Sequence, residues 1–242
     1  MFTGIVQGVA HIAAITDNAS IRTLEIDFAI GFTDGLEIGG SVSVDGVCLT
    51  ATSLLSPTRV LFDVILQSLD VTTLADLAVG AAVNVERAAK DGAEIGGHPL
   101  SGHVDFSTEI AEVREAAGNK ALRIHLPEKF RRYVFPKGYI AINGCSLTVS
   151  ECDKQAGWFE IWLIPETRRA TNLDGKAAGD WLNVEIERGT QVVVDTVRDA
   201  VAEALGDLRP ALEALLAERG VAIEDLVKWP LAVPHLPRDA ER

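Results

Sequence analysis

The stretch VDGVCLT at residues 44–50 returns as INGCSLT at residues 142–148, 98 positions later. At the same shift TGIV (residues 3–6) returns as SGHV (residues 101–104), and at a shift of 99 LADLAVGAAVNVE (residues 74–86) returns as LDGKAAGDWLNVE (residues 173–185). Three blocks in one order at a nearly constant offset describe a duplicated domain. The copies span residues 1–90 and 97–188, with residues 91–96 as a linker. Whatever one copy folds into, the other must fold into as well.

Each copy reads as strands. SVSVDGVCLTAT and YIAINGCSLTVSEC are rich in β-branched and apolar residues, and Asp45-Gly46 and Asn143-Gly144 supply the residues that tight hairpins favour. Further strands are expected at RTLEIDFAI, RVLFDVIL, ALRIHLP, WFEIWLI and DWLNVEIE, with a short helical turn before the last strand of each copy. Six short strands per copy suit a closed barrel, because closure removes the exposed edges of an open sheet. The expected fold class is all-β: two tandem, pseudo-symmetric, six-stranded antiparallel Greek-key barrels with a C-terminal α-helical segment.

The period changes near Gln191. Val194, Val197, Val201, Ala204 and Leu208 follow spacings of three and four, which predicts an amphipathic helix over residues 190–208. Its stripe packs either on its own domain or on another subunit. Gly206 and Pro210 are expected to interrupt it, with a second helix and an irregular tail over residues 209–242.

Composition narrows the partners. The formal net charge of -13 repels nucleic acid phosphates and anionic membranes. No apolar run is long enough to span a bilayer and the start lacks a basic leader region, so a cytoplasmic protein is expected. The three cysteines, Cys48, Cys145 and Cys152, are odd in number and lack CxxC spacing, which reads as free thiols.

Equivalent polar residues recur in both copies: Cys48 with Ser146, Thr50 with Thr148, and Gln67-Ser68 with Glu166-Thr167. Small hydroxyl and amide groups at two barrel mouths suit a flat heterocycle with carbonyls and ring nitrogens; the competing reading is that they cap strand ends. EIGGHPLSGHVD holds His98 and His103. A metal site would need a third ligand, for which Asp105 is at hand, whereas an acid/base role needs only an imidazole titrating near neutrality. Cys48 sits within a strand pattern, where packing competes with a nucleophilic role.

The blocks MFTGIVQG, DGVCLT with NGCSLT, NVERAA, EIGGHPLSGH, KGYIAINGCSLTV, LIPET and VVVDTV, in order over residues 1–200, resemble the alpha-type riboflavin synthases. The resemblance implies dismutation of two 6,7-dimethyl-8-ribityllumazine molecules to riboflavin and a pyrimidinedione by four-carbon transfer, with no cofactor and no metal. It implies a homotrimer, the reactive pair meeting between the N-terminal barrel of one subunit and the C-terminal barrel of the next, with the helix after Gln191 as the trimer contact. A non-catalytic lumazine or flavin carrier on the same fold is the alternative.

The resemblance also implies site residues. The N-terminal pocket would use Gly4, Ile5, Val6, Cys48, Leu49 and Thr50, together with Asp63, Val64, Ile65, Leu66, Gln67 and Ser68. The C-terminal pocket would use Gly102, His103, Val104, Lys137, Ser146, Leu147 and Thr148, together with Leu163, Ile164, Pro165, Glu166, Thr167 and Arg168. Phe2, Ser41, Cys48, His98, His103 and Ser146 match positions implicated in the chemistry. His103, which stands where the first copy has Ile5, is placed ahead of His98 as the base. Departures from the family pattern are Leu66-Gln67-Ser68 for a common Lys-Glu-Thr, Asn143 and Glu187 at frequent Asp positions, and Pro99 after His98.

Overall fold

The computed structural model describes residues 1–18 and 20–219. Met1–Val192 forms one compact unit that holds both barrels, and the chain beyond Val192 is a second. In the first copy β1 (Gly8–Asn18), β2 (Ile21–Asp27), β3 (Ser41–Val44), β4 (Val47–Leu54), β5 (Arg59–Ile65) and β6 (Ala82–Arg87) close in the order β1-β2-β5-β4-β3-β6. In the second, β7 (Phe106–Ala116), β8 (Asn119–His125), β9 (Tyr139–Ile142), β10 (Cys145–Asp153), β11 (Trp158–Leu163) and β12 (Trp181–Ile186) close in the equivalent order β7-β8-β11-β10-β9-β12. All pairings are antiparallel, so the expected double barrel is the observed one.

Alternating residues fill each barrel. Leu24, Ile26, Val60, Phe62 and Val83 in the first, and Ile110, Leu122, Ile124, Phe159 and Ile161 in the second, are fully enclosed. Burying each such side chain stabilises the fold by about 1.5–3 kcal/mol. The register shifts at matching places, between Ile12 and Ala14 in β1 and between Ile110 and Glu112 in β7, and again in β4 and β10. Such bulges bend and twist a strand enough for six strands to close. Between the fifth and sixth strands of the copies lie α1 (Leu66–Val71) and α2 (Pro165–Ala170), each followed by a 3-10 turn.

The two hairpin turns face each other across a pseudo-twofold axis. Asp45, Gly46, Asn143 and Gly144 all have φ between 44° and 84°, the left-handed values a type I′ hairpin requires. A Cβ on Gly46 would lie 2.7 Å from the Gly144 nitrogen, so the two backbones meet at glycine contact. Asn84 Nδ2 donates to Asn143 O at 3.1 Å, and Asn183 Nδ2 donates to Asp45 O at 2.9 Å. Asn84 Oδ1 accepts from Asn172 N, and Asn183 Oδ1 accepts from Thr73 N. These four hydrogen bonds across the barrel junction thus form two matched pairs.

The junction is asymmetric in charge, because Asp45 stands opposite Asn143. Burial pushes the Asp45 carboxyl from an ordinary 3.8 up to about 7, against the pull of hydrogen bonds from Asn84 N and Asn172 Nδ2 and of the Lys176 charge. The folded state holds the proton to higher pH than the unfolded chain, so stability falls as pH rises from about 4 to about 7 and is level above. That loss amounts to at most about 4 kcal/mol. Asp45→Asn is expected to gain stability over the parent as pH rises through this window, measured by urea unfolding at pH 5 and pH 8. An equal difference at both values would show that the carboxylate ionises in the fold without penalty.

The C-terminal helix departs from expectation. It runs unbroken as α3 (Arg188–Glu218) with Pro210 inside it. A proline there removes the one backbone bond that would reach the Gly206 carbonyl, while the Ala, Leu, Glu and Arg residues around it are strong helix formers. Glu187 caps the start, accepting from Gly189 N, Thr190 N and Thr190 Oγ1. Val197 and Val201 of the expected stripe are exposed, as is Leu205 beside it. The side chain of Leu208 lies outside the described residues, as do residues 220–242 of the expected 209–242 extension.

Candidate active site

Residues 3–6 reach their place through a buried carboxylate. Glu86 Oε1 accepts from Thr3 N at 2.6 Å and Thr3 Oγ1 at 2.7 Å, and Oε2 accepts from Gly4 N at 3.1 Å. Glu185 does the same for the second copy, accepting from Ser101 N, Ser101 Oγ and Gly102 N. Burial pushes both carboxyls up, and these hydrogen bonds pull them back.

The segments so anchored are exchanged between barrels. Gly4 O accepts from Ser146 N at 2.8 Å in the second barrel, and Gly102 O accepts from Cys48 N at 2.8 Å in the first. Phe2 and Leu100 exchange two backbone hydrogen bonds between the crossing segments. Only glycine fits at the crossings: Gly4 (φ 75°) and Gly102 (φ 79°) are left-handed, and a Cβ would lie 2.5 Å from Ser146 Cβ and 2.6 Å from Cys48 Cβ respectively.

This regroups the expected pockets. Gly4, Ile5 and Val6 join Ser146, Glu166 and Thr167 around a cavity of about 190 Å³ at the C-terminal barrel, rather than Cys48 at the N-terminal one. Beside it, Ile5 shares a cavity of about 460 Å³ with Tyr139, Ser146, Leu147, Thr148, Trp162 and Ile164. In exchange, Gly102 lies against Cys48 and Phe2, and Val104 packs on the core of the first barrel. His103, which follows Gly102, is exposed and donates its backbone N–H to Ser101 Oγ at 3.1 Å.

The remaining expected residues lie on the strands, turns and short helices of the two barrels. Ser41 opposes Thr50 across β3 and β4, with Leu49 inside the barrel. Asp63 near the end of β5 accepts from Thr23 Oγ1, Val64 is internal, Ile65 is exposed, and Leu66, Gln67 and Ser68 open α1. In the second copy Leu163 is internal, Ile164 is exposed, and Pro165, Glu166, Thr167 and Arg168 belong to α2. Glu166 pairs with Arg169, and Arg168 pairs with Glu115 and Asp174, so neither charge stands free. Lys137 donates its backbone N–H to Val149 O in the turn before β9.

One pair of side chains has the geometry of a proton relay. His98 Nδ1 lies 2.6 Å from Ser146 Oγ, and Ser146 faces both cavities of the C-terminal mouth. His98 is 3% exposed, its buried Nε2 has no hydrogen-bond partner among the described residues, and its ring stacks on Tyr139 at 5.1 Å and 18°. Burial pulls the imidazole below its usual range, and the Glu187 carboxylate works against that. A neutral imidazole on a serine hydroxyl can draw the proton from Oγ and return it. The sequence reading placed His103 first; the structure gives His98 the hydroxyl partner.

Sequence reasoning missed Tyr139 and Trp162 as cavity walls. The repeat itself carried the signal, since their equivalents in the first copy are Ser41 and Asp63. All three cysteines are free, and burial pushes the Cys145 thiol up to about 12, leaving it protonated and inert. Cys48 packs on Phe2, Leu100 and Ala141. Among the described residues no group of His, Cys, Asp or Glu side chains could hold a metal ion.

The two copies each match the model of the lumazine binding domain, over residues 3–88 and 101–187. The chain is 42% identical over 203 residues to the riboflavin synthase of Escherichia coli (strain K12), covering 84% of this chain and 94% of that one. It is 39% identical over 208 residues to the riboflavin synthase of Chlamydia pneumoniae, covering 84% and 98%. Among solved structures, LumP complexed with riboflavin superposes with a TM-score of 0.72 at 28% identity, covering 78% of this chain and all of that one. With its duplicated barrel, its exchanged entry segments and this likeness across most of its length, the chain belongs to the riboflavin synthase family of lumazine-binding proteins.

Proposed function

We propose that the protein is a riboflavin synthase: it converts two molecules of 6,7-dimethyl-8-ribityllumazine into riboflavin and 5-amino-6-ribitylamino-pyrimidinedione by four-carbon transfer. The observation that carries this is the reciprocal exchange, which builds two equivalent mouths for two identical substrates. The two products together contain every atom of the two substrates, so the reaction needs no external oxidant, reductant or cofactor. One lumazine must lose a proton from its C7 methyl group while C7 of the other accepts a nucleophile. In this reading Ser146, supported by its hydrogen bond with His98, moves that proton or adds to C7 at the C-terminal mouth. Cys48 and His103 serve the N-terminal mouth. Holding the two flat rings face to face supplies much of the rate by positioning alone.

For the reacting rings to meet, we propose a homotrimer in which the N-terminal barrel of one subunit faces the C-terminal barrel of the next. Exposed Val197, Val201 and Leu205 on α3 supply an apolar stripe for that contact. Val201→Glu is expected to shift the sedimentation coefficient from trimer to monomer and to cost most of the activity. An unchanged trimer would move the contact elsewhere. A cytoplasmic enzyme fits the three free cysteines, which suit a reducing compartment, and no helix among the described residues is long and apolar enough to cross a membrane.

The likeness to LumP favours a second reading, a carrier that binds lumazine without turning it over. Incubation with the lumazine alone separates the two: the enzyme yields many equivalents of riboflavin per chain, followed by its fluorescence. Stoichiometric binding with no new riboflavin would leave the carrier.

A further inference from the structure

We propose that Tyr139 is a positioning residue for the reaction: its ring covers the imidazole of His98, keeps water from it, and holds its Nδ1 on the Ser146 hydroxyl. The proposal rests on the reading of the C-terminal mouth given above, and deepens it. Tyr139 pairs with Thr148 across β9 and β10, and alternation along the strands puts Tyr139, Thr148 and Ser146 on one face while Ile140 and Leu147 turn into the barrel. Tyr139 is 56% exposed and lines the 460 Å³ cavity, yet its ring stacks on His98, which is 3% exposed and does not line that cavity. Tyr139 thus stands between the ligand space and the base.

The duplication makes the point sharper. The residue equivalent to Tyr139 in the first copy is Ser41, which pairs with Thr50 just as Tyr139 pairs with Thr148, but has no ring to stack. The aromatic cover occurs at the mouth where a buried imidazole meets a serine hydroxyl. The groups facing that imidazole are the Tyr139 phenol from β9, the Ser146 hydroxyl from β10, and the Glu187 carboxylate at the head of α3. Glu187 alone among them carries charge at neutral pH, and it favours the imidazolium. A dry aromatic face opposes it and keeps the base neutral and ready to accept a proton.

The test titrates the His98 ring protons by NMR in the full-length protein, with the signal assigned by its loss in His98→Gln. In Tyr139→Ala the midpoint is expected to rise by on the order of half a pH unit or more, and the acid limb of kcat/KM should move up in step. Tyr139→Phe should restore both to the parent values, and Tyr139→Leu, which keeps bulk without a flat face, should behave as Ala does. A midpoint and acid limb unchanged in Tyr139→Ala and Tyr139→Leu, with only KM raised, would reduce Tyr139 to a cavity wall and overturn the proposal. A shift of equal size in Tyr139→Phe would assign the effect to the hydroxyl and overturn it too. The NMR readout does not depend on turnover: absence of riboflavin from the parent protein would sink the enzyme reading while leaving the titration interpretable.

Discussion

Ser146→Ala is expected to lower kcat by about 10²-fold or more, the scale of general acid–base contributions, with a much smaller change in KM. Among the described residues the hydroxyl is the only hydrogen-bond partner of the buried His98 ring, and it is the atom through which that ring reaches the cavity. Removing it disconnects the imidazole from the ligand and leaves a second buried nitrogen unpaired, which adds a cost of about 1–3 kcal/mol in stability. Cys48→Ala, at the equivalent position of the first copy, removes a side chain held mainly by packing on Phe2, Leu100 and Ala141, and is expected to have the milder effect on kcat. Steady-state kinetics of the two variants provide the comparison. Equal losses would mean that the pockets contribute alike and that the His98 contact has no special role.

The second large effect concerns the crossing of segments. In Gly4→Ala the new methyl group would lie 2.5 Å from Ser146 Cβ, on a backbone at φ 75°. Left-handed backbone costs an alanine roughly 1–2 kcal/mol, and crowding of this kind typically adds about 1–3 kcal/mol. The segment is then expected to lift from the C-terminal mouth, carrying the Ile5 wall with it. Melting temperature should fall by several degrees and activity by at least about tenfold. Gly8→Ala is the control, because nothing lies within 4 Å of its Cβ position. Parent-like stability and turnover in Gly4→Ala would contradict the exchange of segments between barrels.

That exchange also marks the limit of what the sequence made legible. Barrel count, topology class and hairpins could be read because their signals are local or periodic: the Asp45-Gly46 and Asn143-Gly144 turns, the β-branched runs, the 98-residue echo. The pairing of TGIV with Ser146 instead of Cys48 leaves no such trace. A repeat says which residues are equivalent, and both arrangements of two equivalent segments on two equivalent barrels satisfy it. The choice is made by tertiary contacts: Glu86 anchoring Thr3 from 83 residues away, and Gly102 fitting under Phe2 and Cys48.

The same applies to the bases. His98 and Ser146 are 48 residues apart, and His98 stands beside the less informative Pro99, whereas His103 stood out because it replaced Ile5 within the repeat. The structure carries Gly102, next to His103, over to Cys48 of the first barrel rather than to the C-terminal pocket, and gives His98 the buried, hydroxyl-bonded place at the second. For α3, the single proline outweighed its neighbours in the sequence reading, although one lost backbone bond is small against a 31-residue helix.

The direct measurement is the mole ratio of the reaction, taken with purified protein, 6,7-dimethyl-8-ribityllumazine, a chelator and no added cofactor. Two equivalent mouths serving one dismutation predict two lumazines consumed for each riboflavin formed, over many turnovers, with the chelator without effect. One lumazine bound per mouth and no riboflavin released, a ratio of one to one, or activity abolished by the chelator would contradict it.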